Sequence, residues 1–274
     1  MPMTKPRRFA WSRASYLLLS AFLATIALIG TVWWPLLRDY VSAYDSSYPW
    51  WRQTDFLLIG IFVAMSVLIM AGADLRTDVR LVAVGLLGGL VIETWGTRTG
   101  LWAYYTQERP PLWILPAWPI ATLSIDRLVR WLRNVSPQAR PLVYRWLQVL
   151  TLGGFLVLMI GFVRPTMSQP VTWGALALCG ALVLRPPDDR TQLLTFAAGA
   201  GLGYFLERWG TTRFCWTYYT GETPPSFAVL AHGMAAVAFW RGLDAFDRGS
   251  RTLAPFLRRL TRSSQRSLGW TREA

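Results

Sequence analysis

Long apolar runs alternate with short charged stretches along the chain, and eight of the runs approach the roughly 17 to 25 residues that cross a bilayer. The first extends from Ser15 to Leu37, and the second from Thr54 to Ala73 with no charge after Asp55. The third, Leu81 to Gly96, is short and contains Glu93, while the fourth begins at Pro111 and loses its apolar character near Asp126 and Arg127. The series then repeats as Val143 to Val163, Val171 to Leu184, Thr191 to Gly210 and Ser226 to Trp240. The pattern predicts an all-α polytopic transmembrane bundle of about eight spans.

Composition agrees, with 53% hydrophobic residues, 16 Trp and only 16% charged residues in 274. Such a chain departs from the soluble globular average toward one whose solvent is lipid. The net charge of +13 raises nucleic acid as a partner. The distribution of the basic residues points to topology instead. With the N-terminus cytoplasmic, 21 of the 28 fall on the cytoplasmic side, and seven fall opposite: Arg38, Arg52, Arg98, Arg109, Arg164, Arg208 and Arg213. This asymmetry follows the positive-inside rule for an even number of spans. The expected location is a bacterial-type cytoplasmic (inner) membrane, with both termini cytoplasmic and no nucleic-acid partner. The N-terminus has the basic region of a signal peptide, but its apolar run is long and ends in Trp33-Trp34-Pro35, so it is expected to remain as an anchor.

The chain contains an internal duplication. Glu93, Trp95, Gly96, Thr97, Trp102, Tyr104, Tyr105, Thr106, Glu108, Pro110 and Pro111 recur 114 residues later as Glu207, Trp209, Gly210, Thr211, Trp216, Tyr218, Tyr219, Thr220, Glu222, Pro224 and Pro225. That is 11 identities in 19 positions without a gap. The same offset pairs Asp74, Arg76 and Thr77 with Asp188, Arg190 and Thr191. Residues 1–133 thus read as one four-helix repeat, 134–247 as a second, and 248–274 as a basic tail. An even number of spans per copy makes the repeats parallel, related by an axis along the membrane normal. Both Glu-Trp-Gly-Thr segments then lie on the outer face.

Upstream of each glutamate runs a ladder of small residues: Gly85, Gly89 and Glu93, then Gly199, Gly203 and Glu207, all at intervals of four. Residues four apart share a helix face, and glycines there admit a second helix at close range. The carboxyl groups should therefore face the bundle interior, where low dielectric favours the neutral acid, and Glu93 and Glu207 become candidate proton donors. A plainer reading has each glutamate near the interface, tied to an arginine such as Arg98 or Arg213. Trp95, Thr97, Trp102, Tyr104 and Tyr105, with Trp209, Thr211, Trp216, Tyr218 and Tyr219, are candidate ligand-binding residues. Their alternative is an aromatic belt at the membrane surface. The fixed Trp-x-Tyr-Tyr-Thr-x-Glu-x-Pro-Pro string is more specific than anchoring needs.

His232 is the only histidine, and Trp118 occupies the corresponding place in the first copy. It joins the candidate ligand-binding set, its alternative being a hydrogen bond between helices. Cys179 and Cys215 have neither metal-ligand nor disulfide spacing, and no metal or cofactor motif occurs. The tail from Arg248 to Arg272 alternates Arg with Leu253, Phe256, Leu257, Leu260, Leu268 and Trp270, as an amphipathic helix on anionic inner-leaflet lipid would.

Glu93, then Thr99-Gly100-Leu101-Trp102, Tyr104-Tyr105 and a proline-rich return into the next span resembles segments of membrane-embedded carotenoid-biosynthesis proteins. These are carotenoid hydratases and lycopene cyclases of the heterodimeric type, and the likeness covers about 30 residues of each copy. It implies protonation of a polyene double bond by a carboxylic acid. Where the cyclases have Pro-x-Glu-Glu, this chain has Pro116-Ala117-Trp118-Pro119 and Leu230-Ala231-His232-Gly233. The sequence is read as a membrane protein that binds a lipidic, isoprenoid- or carotenoid-like ligand between its repeats, with protonation as the further step. Two other readings use the same residues: a proton- or cation-coupled small-solute transporter, and a non-catalytic accessory subunit that docks a membrane protein partner.

Overall fold

The computed structural model describes residues 11–136, 139–184 and 188–267, with side chains through residue 246 of the last stretch. The elements are α1 (Arg13–Val32), α2 (Trp34–Ser42), α3 (Trp50–Gln53), α4 (Phe56–Met70), α5 (Leu75–Thr99), β1 (Trp102–Tyr104), α6 (Ala117–Val135), α7 (Pro141–Val163), α8 (Pro170–Val183), α9 (Asp189–Thr212), β2 (Trp216–Tyr218) and α10 (Ser226–Ser267). The architecture is all-α apart from the two short strands. Each expected apolar run coincides mainly with one helix, except that the first is divided at Trp33 between α1 and α2. Among the described residues four helical segments are long and apolar enough to cross a membrane: Arg13–Val32, Leu112–Val135, Pro141–Thr166 and Ser226–Phe246. α4 and α8 are apolar but have 15 and 14 residues, hence about 22 Å of helix against a hydrocarbon core of about 30 Å. α5 and α9 have the length, at 25 and 24 residues, but begin in charged turns and carry the buried glutamates.

The recurring Asp-x-Arg-Thr turns are helix N-caps. Asp74 accepts a hydrogen bond from the Arg76 backbone N–H and Asp188 one from Arg190, so both aspartates satisfy orphan donors at the starts of α5 and α9. At the other end α5 stops at Gly100, which has φ +75°. Phe214, the residue 114 positions later, takes the same left-handed conformation at φ +55° without glycine's freedom. The strands that follow pair antiparallel as Trp102↔Tyr218, Ala103↔Thr217 and Tyr104↔Trp216. Ala103 and Thr217 are themselves 114 apart, so the centre of the ladder joins corresponding positions. The flanking bonds, Tyr105 N–H to the Cys215 carbonyl and Tyr219 N–H to the Leu101 carbonyl, match in the same way. The two aromatic segments therefore meet at one end of the bundle.

α5 packs on α6 and α9 on α10, while α4 reaches α9 and α5 reaches α8. One apolar core, around Leu18, Phe22, Ile61, Met65, Ile69 and Leu123, joins α1, α4 and α6. A second, richer in aromatics, gathers Trp33, Trp95, Trp102, Tyr104, Trp113, Phe162 and Phe227 beneath the strands. At the far end Arg127 donates from Nη2 to both oxygens of Asp78 at 2.7 Å, with both residues buried. This ion pair explains how α6 tolerates charges where its sequence ceases to be apolar. The final run and the tail as far as Ser267 form one continuous helix, α10, of 42 residues. The tail's amphipathic face falls on side chains outside the described residues.

Candidate functional site

The glycine ladders set the site. A Cβ on Gly89 would lie 2.4 Å from Cγ of Trp118, and one on Gly203 would lie 2.4 Å from Cβ of His232. Both are far inside van der Waals contact, so only glycine lets α6 and α10 close on α5 and α9 here. The approach sets Trp118 and His232 over the carboxyl groups. Gly96 and Gly210 act on the hairpin side, where an added Cβ would lie 1.9 Å from Cη2 of Trp102 or of Trp216. Each indole thus folds flat against its own helix. Glu93 and Glu207 are each 3% exposed.

Each carboxyl group has three hydrogen-bond partners. Oε2 of Glu93 accepts from Trp102 Nε1 at 3.1 Å, and Oε1 accepts from the Tyr104 hydroxyl at 2.8 Å and Trp118 Nε1 at 3.1 Å. Oε2 of Glu207 accepts from Trp216 Nε1 at 2.9 Å and Oε1 from the Tyr218 hydroxyl at 2.8 Å, with His232 Nε2 2.9 Å from the same oxygen. Burial, reinforced by the charge of Glu93 and the bond to it, raises the Tyr104 phenol well above its ordinary range, and burial and Glu207 do the same for Tyr218. Both phenols stay protonated as donors. The Trp118 and His232 rings stack at 5.9 Å with planes 16° apart, so the two carboxyl environments touch. Trp102 and Tyr218 lie 6.0 Å apart and Tyr104 and Trp216 5.9 Å, which closes an aromatic ring around both glutamates.

One chemical difference separates the halves. Indole N–H can only donate, and Glu93 has an indole on each oxygen. Imidazole Nε2 donates or accepts according to its tautomer, so Glu207 alone faces a group able to take or return a proton.

The remaining tryptophans tie the halves together. Trp95 Nε1 donates to Thr172 Oγ1 at the start of α8 at 3.3 Å, and Trp209 Nε1 donates to Asp55 at the start of α4 at 2.8 Å. Arg213 joins Asp55 at 2.6 Å. The expectation that Arg213 pairs with a glutamate is therefore corrected: its ion pair is with Asp55, and the glutamates are held by aromatic donors.

An apolar cavity of about 540 Å³ opens below the ring between α5, α6, α7, α8, α9 and α10. Its polar lining clusters at the hairpin end, at Glu93, Glu207, Trp102, Tyr104, Trp216, Tyr218, Trp118 and His232. The rest is apolar, from Ile92 and Phe155 to Val84 and Phe246, apart from the Cys179 thiol. From Glu93 to Val84 is nine residues of helix, about 13 Å. Four of the lining residues are themselves well exposed: Leu87 at 66%, Val91 at 44%, Leu178 at 48% and Phe246 at 61%. They ring a mouth between α5, α8 and α10.

Of the residues expected at the site, Glu93, Glu207, Trp95, Trp102, Tyr104, Trp216, Tyr218 and His232 line this cavity. Thr97, Thr211, Tyr105, Tyr219 and Trp209 do not. Thr97 and Thr211 turn their hydroxyls back to the carbonyls of Glu93 and Glu207, one helical turn away. Tyr105 and Tyr219 bond the carbonyls of Val32 and Phe162 at the ends of α1 and α7. Trp209 stacks on Trp33 at 5.3 Å. Trp118 is the participant that sequence reasoning left out of the site, although its correspondence to His232 was the available signal.

Comparison with protein-family models, with curated proteins and with solved structures finds no match to this chain.

Proposed function

We propose that the protein is a duplicated membrane bundle that binds an apolar, isoprenoid-like ligand between its two halves and handles a proton at the ligand's inner end. The observation that carries this reading is the apolar cavity of about 540 Å³ whose polar end is formed by two buried carboxyl groups with matching donor sets. The volume lies within the roughly 300 to 1,000 Å³ of drug-sized ligand pockets. The exposed apolar residues around the mouth suit access from lipid rather than from water. A chain much longer than the cavity's roughly 13 Å run along α5 would extend through that mouth.

The duplication belongs to the same proposal. α4, α5, β1 and α6 correspond to α8, α9, β2 and α10 at the offset of 114, and the symmetric ladder and crossed tryptophan bonds suit an axis between the copies. α1 and α7 depart from that offset because α2 and α3 lengthen only the first copy's opening connection. In this arrangement all eight segments enter the bilayer, α4 and α8 as short helices, with the hairpin on the outer face and both termini cytoplasmic. Glu207 with His232 supplies the proton-exchanging half. Glu93, with indole donors on both oxygens, serves as a fixed carboxylate that stabilises positive charge on the ligand, assisted by the faces of Trp102 and Trp216.

The test is to replace Glu93 and Glu207 by Gln, singly and together, in the producing cell and to profile its pigments and isoprenoid lipids. Accumulation of an unprotonated precursor is expected for Glu207→Gln. A profile unchanged in all three variants would sink the proposal. Mass spectrometry of organic extracts from the purified protein should meanwhile yield a co-purifying apolar compound.

A further inference from the structure

On the Glu93 side, the polar lining of the cavity has one sense of hydrogen bonding left to offer. Its strong donors already face a carboxyl group: Trp102, Tyr104 and Trp118 at Glu93, and Trp216, Tyr218 and His232 at Glu207. The Trp95 indole bonds Thr172 instead. Indole and phenol each have a single donor hydrogen, so none of the tryptophans or tyrosines retains one for a ligand, and only the His232 imidazole, with its second ring nitrogen, can hold a further N–H. Cys179 adds only a weak S–H, and no Lys or Arg is among the described lining residues. Acceptors, by contrast, remain. A carboxylate has about four lone-pair sites, and each glutamate uses three, with a single bond arriving at either Oε2. The two phenolic oxygens keep lone pairs as well.

We infer that the cavity selects an apolar chain whose inner end carries a hydrogen-bond donor, a hydroxyl or an amine, and rejects one ending in phosphate, diphosphate or carboxylate. The inference rests on the cavity's being a ligand site, as proposed above. A hydroxyl at Oε2 of Glu93 recovers in the cavity the hydrogen bond it gives up in leaving water. An amine recovers the same bond and adds the attraction of the surrounding indole faces. An anionic end at Glu93 meets a carboxyl group whose indole and phenol donors are all engaged, with no Lys or Arg in the described lining to balance it, and buried charge without a partner is strongly unfavourable.

The experiment offers the full chain, purified in mild detergent, three probes that share one hydrocarbon chain: geranylgeraniol, geranylgeranylamine and geranylgeranyl diphosphate. Binding is read by native mass spectrometry and by thermal shift, with Ala175→Leu, which fills part of the cavity, as the site control. The alcohol or the amine should bind at least about tenfold more tightly than the diphosphate, a gap of about 1.4 kcal/mol, and Ala175→Leu should weaken it. A diphosphate that binds as tightly as the alcohol overturns the donor-head inference while leaving the cavity an apolar-ligand site. Failure of all three probes to bind, or tight binding indifferent to Ala175→Leu, overturns the ligand-site reading and this inference with it.

Discussion

Gly96→Ala should be among the most damaging single-methyl changes in this protein, because the added carbon would occupy space held by an indole ring. Its Cβ would lie 1.9, 2.0 and 2.1 Å from Cη2, Cζ2 and Cζ3 of Trp102, where carbon atoms normally rest about 3.5 to 4.0 Å apart. The ring must therefore retreat by about 1.5 to 2 Å. Such a retreat pulls Trp102 Nε1 off Glu93 Oε2, now 3.1 Å away, and beyond hydrogen-bonding range. Losing a bond to a charged group costs about 1.5 to 3 kcal/mol, and overpacking a core adds about 1 to 3 kcal/mol. A total destabilisation of about 3 to 5 kcal/mol is expected. The assay is thermal unfolding of the purified protein in mild detergent, beside Gly153→Ala, whose Cβ would meet nothing within 4 Å and which should be neutral or slightly stabilising. Placing Gly96→Ala in a Trp102→Leu background removes the clashing ring, so the alanine should then cost little. Equal midpoints for Gly96→Ala and Gly153→Ala, or an undiminished cost in the Trp102→Leu background, would refute the reasoning.

Two further predictions concern parts of the fold away from the cavity. Arg127→Met leaves Asp78 buried without its partner and should destabilise by about 3 to 5 kcal/mol. Adding Asp78→Leu should restore most of the loss in denaturant titrations, and a double variant no better than the single would contradict the pairing argument. Burial pushes the Cys215 thiol, in the turn before β2, up to about 12, so at pH 8 it is protonated as well as enclosed. Maleimide should label it far more slowly than a cysteine placed at exposed Thr220, and equal rates would count against the closed hairpin.

How far the sequence alone reaches is clearest around the glutamates. Spacing of four among Gly85, Gly89 and Glu93 defines one helix face, and glycine on that face implies close approach; both inferences hold in the packed structure, where Glu93 and Glu207 are buried. The Asp-x-Arg-Thr turns were legible as punctuation, since short acidic residues before a helix serve its unsatisfied N–H groups. Helix existence followed from hydropathy, but the lengths of α4 and α8 did not, because turns and caps end a helix inside its apolar run. The identity of the carboxyl partners depended on tertiary packing. Trp118 and His232 lie 25 residues beyond their glutamates, and whether they face them depends on how α6 and α10 rotate against α5 and α9. The same holds for Asp55 and Trp209, which are 154 residues apart and meet only because α4 packs against α9. Periodicity in a sequence marks which face of a helix is turned inward. Which side chain waits there is decided by crossing geometry and by the space left between helices, and that is also what created the cavity.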